Sequence, residues 1–337
     1  MKAHGTFPIR THLICLAWWA FAQPYAVVYG VEAVKAAANR GIVHLKIDKV
    51  KLQAKLEFLP SLEHPFQVVK EYPVAIGRGV GDKTREGDLK TPEGIYFTDV
   101  QLSTKHMNPK KYGPLAIPLN FPNPLDRAYG KTGSGIWLHG AGDDARMEKK
   151  QVTEGCVAFY NSDIVEVAPF VVPGSTVVSI TTRPELVNVA VDRAAVAQAT
   201  MDWLLHWQDR DISAYIGHYS EHFRFRGQGK LAYKAYKNSV FRRYKVMHVR
   251  MEDIRIITHP KYAISIMNQD FSGDRKYFSK GRKVLYWVRE RGEWKILQED
   301  FSRRKYQLLS RMDVLRLSHK EIASSAHSCT RGDDSCG

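Results

Sequence analysis

The sequence predicts two domains of different class, a β-sheet-rich first half and an α+β second half. Three observations carry this. Short strand-like segments follow one another from about residue 42 with no long helix between them, which argues against a doubly wound fold. From Val189 the pattern changes to amphipathic helices followed by a run of strand-like segments. Between the two halves lies Arg183-Pro184-Glu185, a polar, proline-containing stretch that reads as a linker over 183–189.

The first half is taken in order. Residues 27–41 read as a lead-in helix stopped by Gly41. Val43, Leu45 and Ile47 alternate with His44, Lys46 and Asp48, the pattern of a half-buried strand. Gln53–Phe58 and Phe66–Ile76 are expected as further strands, with Pro60–Pro65 as the turn. Gly77–Tyr96 is glycine-rich and charged, but it lacks the G-x-x-x-x-G-K-[ST] spacing and a following long helix. A loop beside a site is expected, not a phosphate cradle. Within it Thr91-Pro92-Glu93-Gly94 is expected as a turn, with Gly94 permitting positive φ. Ile95–Val100 should be a strand. Residues 101–134, rich in proline and glycine, are expected to frame a groove, with Lys110, Lys111, Arg127 and Lys131 making it basic. Ile136–His139 and Val157–Tyr160 are expected strands. Asn161-Ser162-Asp163 is expected to cap a helix near Ile164, and Thr176–Ile180 to close the domain.

In the second half, Val189–Gln208 suits a helix with Trp203 and Trp207 one turn apart. A second helix presents Ile212, Tyr215, Ile216 and Tyr219. Gly227-Gln228-Gly229 breaks the chain before a basic helix over Lys230–Val246. Val249–Thr258, Tyr262–Ser272, Lys283–Arg289 and Glu293–Phe301 complete a curved antiparallel sheet, placing this unit at 190–306. The tail, 307–337, becomes Ser/Asp/Gly-rich and is expected to be partly disordered.

Fifty basic against 35 acidic residues give a formal charge of +15, which favours anionic partners. The N-terminus bears on which. Lys2 and Arg10 precede the apolar run Leu13–Ala22, and Ala20 and Ala22 form an A-x-A site, so residues 1–22 read as a signal peptide, with cleavage as late as Ala26 as a variant. An uncleaved anchor helix is the second reading. The run is about half of what a membrane span needs, so no stable span is expected after cleavage. Export points away from nucleic acid and toward an anionic wall polymer or membrane surface. It also removes Cys15. Cys329 and Cys336 are close enough in the tail to pair in an oxidising compartment, which leaves Cys156 as the odd thiol.

Cys156 lies in a T-x-G-C run with Thr153 and Gly155, seventeen residues after His139 of the His139-Gly140 pair. A nucleophilic cysteine needs a base and an approachable sulfur. His139 is the candidate base. A buried structural thiol is the plain alternative. Zinc would need three or four ligands, and only His139 and Cys156 are well placed, so no metal or other cofactor is expected.

These motifs carry a resemblance. Ile136-Trp137-Leu138-His139-Gly140 followed by Thr153-Glu154-Gly155-Cys156-Val157, with Thr91–Tyr96 and the stretch from Leu119 to Gly135, makes residues 42–182 resemble the L,D-transpeptidase catalytic domain family. The resemblance implies a mixed β-sandwich-like fold. It implies an enzyme that attacks peptidoglycan stem peptides through a cysteine acyl-enzyme. Cys156 would be the nucleophile and His139 the general base and acid. The Gly140 carbonyl would orient the imidazole, Gly155 would shape the oxyanion loop, and Thr153 would support it. Two departures stand out. Glu154 occupies a position often held by histidine, and Ala158 one often held by arginine. Glu154 is expected to point away from the thiolate, since a facing carboxylate would raise its pKa. With the arginine missing, substrate anchoring is expected from Lys83, Arg85, Arg127 or Lys131, with Trp137 as a further contact.

The second domain resembles the nuclear-transport-factor-2-like (NTF2-like) fold, a cone of helices over a curved sheet. The resemblance rests on Trp203, Trp207, the Asp211–Phe223 stretch and the closing Trp294–Asp300. It implies a glycan or peptide pocket or a homodimer surface. The domain pairing is similar to cell-shape-determining L,D-carboxypeptidases, which trim a tetrapeptide stem to a tripeptide. Water as acceptor gives that reaction, whereas an amine gives a transpeptidase. A wall-binding scaffold with a relict site is the alternative of another class.

Overall fold

The computed structural model describes residues 40–60, 64–98, 102–103 and 108–314. The signal-peptide segment, Cys15, Cys329 and Cys336 lie outside the described residues.

The first domain contains β1 (Arg40–Asp48), β2 (Gln53–Leu59), β3 (Gln67–Gly77), β4 (Gly94–Phe97), β5 (Leu102–Ser103), the short helix α1 (Pro109–Tyr112), β6 (Leu115–Pro118), α2 (Pro124–Ala128), β7 (Trp137–Gly140), β8 (Gln151–Thr153), β9 (Val157–Phe159), α3 (Asn161–Val167) and β10 (Val177–Thr181). Among the described residues the strand order is β4-β10-β1-β2-β3-β9-β7-β6-β5, with β8 paired to β3. This is the β-rich, sheet-dominated class the sequence predicts. Its core is the inward row of β1 (Val43, Leu45, Ile47) against Tyr72, Val74, Phe159 and Phe170.

Several local expectations are corrected. β1 already begins at Arg40, inside the segment read as a lead-in helix, whose earlier residues lie outside the described ones. Its polar row does not face solvent. β1 sits between β10 and β2, so His44 is fully buried, with Nδ1 2.9 Å from Glu57 and Nε2 2.8 Å from Ser179 Oγ. Buried polar groups survive only when paired, and these are. Gly94 does not take positive φ in a turn. It starts β4, and a Cβ there would lie 2.8 Å from the Tyr262 hydroxyl, so the position is restricted by space. Asn161 does not cap α3. It is the first helical residue, and its amide instead clasps Gly142, accepting from the backbone N–H (3.1 Å) and donating to the carbonyl (3.0 Å). The end of the tail, 315–337, where disorder is expected, lies outside the described residues; at its start β17 (Leu309–Ser310) pairs with β1, and Val314 enters the first domain's core.

The second domain comprises α4 (Ala190–Gln208), α5 (Ile212–Gly217), the small hairpin β11 (Arg224–Phe225) and β12 (Gln228–Gly229), and α6 (Lys230–Arg243). They pack over the antiparallel sheet β13 (Met247–Thr258), β14 (Ala263–Gly273), β15 (Tyr277–Glu290) and β16 (Glu293–Ser302). The basic helix ends at Arg243, three residues short of expectation. The concave side is filled with aromatic side chains, Trp203, Trp207, Tyr215, Tyr219, Phe223 and Tyr233. The amphipathic stripe with two tryptophans one turn apart is buried here.

The other side of this sheet packs on the first domain. Ile257, Ile264, Ile266, Val284 and Tyr286 share one cluster with Ile42, Leu59, Ile95, Phe97 and Val177. The Tyr262 hydroxyl is the polar tie. It accepts from the Ile95 N–H and from Asn123 Nδ2 (3.0 Å) and donates to the Ile95 carbonyl (3.0 Å). Tyr262→Phe strands two buried donors, so unfolding stability should fall by about 1–3 kcal/mol, read as a lowered denaturation midpoint. An unchanged midpoint would show that water fills the gap.

Candidate active site

The parallel pairing of β7 and β9 builds the site. Its register sets Leu138 opposite Val157 and His139 opposite Ala158. Cys156, one residue before β9, therefore falls level with Trp137. Alternate residues of a strand share a face, so His139 and Cys156 lie diagonally on one side of the sheet, with Ala158 beside the imidazole. Both line a cleft of about 730 Å³, whose other walls come from the 78–89 loop, α1, the 133–136 stretch and the 3₁₀ turn Asp144–Lys149.

Backbone geometry explains the glycines. Gly155 has φ of 129°, and a Cβ there would lie 2.8 Å from the Lys90 carbonyl oxygen. A Cβ on Gly140 would lie 2.5 Å from Asn161 Oδ1. The Thr153 hydroxyl donates to the Cys156 carbonyl (2.7 Å) and accepts from the Gly155 N–H (3.2 Å), closing the loop that presents the sulfur.

The imidazole is buried, and its Nδ1 lies 2.6 Å from the Gly140 carbonyl oxygen. A carbonyl can only accept, so Nδ1 carries the proton and Nε2 keeps its lone pair. The ring of Tyr112 meets the imidazole edge-on at 5.3 Å. Burial draws the His139 pKa down to about 4. The bond to Gly140 opposes this, and the charges of Arg146 and Lys111 assist it. Cys156 is half-buried, and its thiol donates to the Gly135 carbonyl (3.3 Å). Burial pushes the thiol pKa up. The Trp137 backbone N–H and the Lys111 charge act against that rise, while Glu154 adds to it. At neutral pH the resting pair is thus a neutral thiol beside a neutral imidazole.

Glu154 is the residue expected to point away from the thiolate. It sits on the cleft rim, exposed, 3.1 Å from Lys111 Nζ and 3.8 Å from Arg78 Nη2. These cations hold its carboxyl below the usual range, Lys111 chiefly. Glu154→Gln should remove an acid-side influence on the sulfur and release Lys111, lowering the thiol pKa. Iodoacetamide should then alkylate Cys156 faster at pH 7, by a few-fold, with little change in stability because the pairs are exposed. An unchanged alkylation rate would count against the electrostatic coupling.

The expected anchoring residues are mostly elsewhere. Lys83 does line the cleft, but its ammonium is bound to Asp88 (2.8 Å) and the Arg85 carbonyl (3.1 Å), so it fastens the loop. Arg85 is exposed outside the cleft lining. Arg127 donates to the Pro122 carbonyl, and Lys131 bridges Asp82 (2.9 Å) and Asp126 (2.8 Å); both serve the fold of 82–131 and do not reach the cleft. Trp137 packs at a tilt against Tyr112, with ring centroids 5.1 Å apart, and meets the sulfur through its backbone. The cations that do face the cleft are Arg78, Lys110, Lys111 and Arg146. Arg146 also donates to the Ala141 (2.8 Å) and Lys111 (3.2 Å) carbonyls, tying α1 to the end of β7. Arg146 lies in the charged segment between His139 and Cys156 and Arg78 in the Gly77–Tyr96 loop expected beside a site, but the sequence marked neither as an anchor. Ala158, in the position often held by arginine, is buried with Ala75, Ala141 and Met147.

Comparison with known proteins identifies the two domains. Residues 63–180 match the L,D-transpeptidase catalytic domain, and residues 195–300 match the Cds6 C-terminal NTF2-like domain. "Putative L,D-transpeptidase YafK" of Escherichia coli K12 is 30% identical over 122 residues, which is 36% of this chain and 44% of that protein. The match thus spans less than half of that relative. The structure of Bd1075 from Bdellovibrio bacteriovorus superposes with a TM-score of 0.66 at 26% identity, covering 79% of this chain and 97% of that one. The helical cell shape determining protein Pgp2 of Campylobacter jejuni shares the fold, with a TM-score of 0.61 at 24% identity, covering 78% and 95%. The chain therefore joins an L,D-transpeptidase catalytic domain, which contains the His139–Cys156 cleft, to an NTF2-like domain.

Proposed function

We propose that this protein is a peptidoglycan-modifying cysteine acyl-transferase that cuts the bond between the L-centre of the third stem residue and D-alanine, with water as acceptor. The observation that carries the reading is the pairing of His139 and Cys156 on one face of a cationic cleft, with the imidazole tautomer set by the Gly140 carbonyl. Cys156 Sγ attacks the carbonyl carbon as His139 Nε2 takes the thiol proton. His139 then gives that proton to the leaving D-alanine amine, and a thioester remains. Water attacks the thioester as His139 takes its proton, and the proton returns to the departing sulfur. The Gly155 N–H is committed to Thr153, which leaves the Cys156 N–H as the oxyanion donor in this reading. Arg78, Lys111 and Arg146 suit the carboxylates of a stem peptide. Two considerations favour hydrolysis over cross-linking: the pairing with an NTF2-like domain, and the likeness in fold to a helical cell shape determining protein.

The site of action is proposed to be the periplasm or another exported location, since the family's substrate lies outside the cytoplasm. No helix among the described residues is long and apolar enough to cross a membrane. The test is incubation with purified tetrapeptide muropeptides and mass spectrometry. Tripeptide product with free D-alanine is expected. Cross-linked dimers would replace hydrolysis by transpeptidation, and neither product would end the enzymatic reading.

A further inference from the structure

The end of the second domain carries a feature the reaction does not use. No Asp or Glu occurs between Phe223 and Arg250, and α6 closes on Arg242 and Arg243, with Lys245 just after it. The chain then meets the β14–β15 turn. Val246 N–H donates to the Asp274 carboxylate (2.7 Å), and Asp274 N–H donates to the Val246 carbonyl (2.8 Å). Tyr244 stacks on Tyr277 at 6.3 Å and lies over Gly273, where a Cβ would come within 2.4 Å of its ring. The two segments therefore form one ordered tip. It projects past β16, whose last partner on β15 is Arg282.

The tip's surface mixes two kinds of side chain. Val246, Tyr277 and Phe278 are 49%, 53% and 59% exposed. Around them Arg242, Arg243, Lys245, Arg275 and Lys276 are exposed, and among the described residues none of the five forms an ion pair. The nearby acids are already engaged: Asp274 with Val246 N–H, and Asp270 with Lys280 at 2.7 Å. From this cationic tip with exposed aromatic and apolar side chains at the end of a hairpin, we propose that it docks on a bilayer surface containing anionic lipids. Lys and Arg are drawn to anionic headgroups, and aromatic rings settle at the headgroup level. A hairpin end does not enclose a polymer chain, whereas it can press its exposed valine and rings into an interface.

The test is co-sedimentation of the full protein with phosphatidylcholine vesicles containing or lacking about a third of phosphatidylglycerol. Binding is expected only to the anionic vesicles and should weaken at least tenfold between low salt and about 0.5 M salt, because screening shortens the reach of surface charge. The pair Arg275→Glu and Lys276→Glu should weaken it by roughly thirty-fold or more, at about fivefold per basic residue lost. The pair Val246→Ser and Phe278→Ser should weaken it several-fold at both salt concentrations. Circular dichroism would check folding, with Lys276→Gln and Phe278→Ser as milder single variants should either pair misfold. Cleavage of soluble muropeptides should not change in any of these, which keeps this test separate from that of the reaction. The proposal is overturned if wild-type protein stays in the supernatant at low salt, or if both pairs bind like wild type. It is also overturned if the tip variants only convert a dimer to a monomer in light scattering. Equal retention on a soluble anionic polymer, insensitive to the apolar pair, would overturn it in favour of a polymer site.

Discussion

Cys156→Ala is expected to remove turnover of tetrapeptide stems, by at least ~10⁴-fold in kcat, because no acyl-enzyme can form without the sulfur. The loss should appear in kcat and not in KM, since the substrate contacts proposed for Arg78, Lys111 and Arg146 lie on other walls of the cleft. The folded state should be little affected. Cys156 is only half-buried, and its side-chain bond to the Gly135 carbonyl is a weak thiol donor bond, while Thr153 still holds the loop through the Cys156 backbone carbonyl. Intact-mass spectrometry after brief incubation with substrate supplies the second readout: a covalent adduct on wild-type protein and none on the variant. Full turnover by the alanine variant would overturn the cysteine mechanism. A wild-type protein that neither turns over nor acquires an adduct would favour a binding scaffold with a relict site.

His139→Gln should cost ~10²–10⁴-fold in kcat, the range of a lost general base and acid. The pH profile is the more telling part. The base works only when neutral, and burial holds its pKa near 4, well below the ordinary value of 6.5. The acid limb of kcat/KM should therefore fall near pH 4 to 5 and not near 6.5. The raised thiol must stay protonated in the resting pair, so no alkaline limb is expected below about pH 9. A profile rising through pH 6.5 would instead indicate an imidazole whose pKa burial has not moved. The same shift bears on stability. Between pH 6.5 and 4 the unfolded chain binds a proton at this position that the folded chain refuses, so stability is lost as pH falls through that window. His218 and His259 are held near 4 by burial as well and act in the same direction. His139→Gln should flatten the denaturation midpoint's dependence on pH across that range without abolishing it.

The outline of both domains was legible because hydrophobic period and turn chemistry are local. The alternation of Val43, Leu45 and Ile47 marked β1, and the tryptophans one turn apart marked α4. The errors share one cause, which is that partners distant in sequence were invisible. His44 read as solvent-facing because nothing local announces Glu57 and Ser179. Asn161 read as a cap because its clasp on Gly142 crosses nineteen residues. Gly94 read as a turn glycine because the Tyr262 hydroxyl that crowds it comes from the other domain.

The site divides in the same way. His139 and Cys156 were nameable from residue type and spacing, whereas Gly140, Thr153 and Gly155 were nameable only through the family resemblance of the two short motifs. The anchoring cations were not. Arg85, Arg127 and Lys131 have the right charge in the right stretch, and only folding shows Lys131 spent on Asp82 and Asp126 and Arg127 on Pro122. Arg78 reaches the cleft from the loop expected beside a site and Arg146 from the segment between the two motifs, but nothing local marks either as an anchor. The sequence by itself therefore determined the nucleophile and base candidates and the two fold classes, because motif and periodicity are properties of neighbours along the chain. The tertiary structure alone decided which charges face the cleft, the tautomer of His139 and the neutral state of the pair, because each depends on burial and on contacts between segments far apart in sequence.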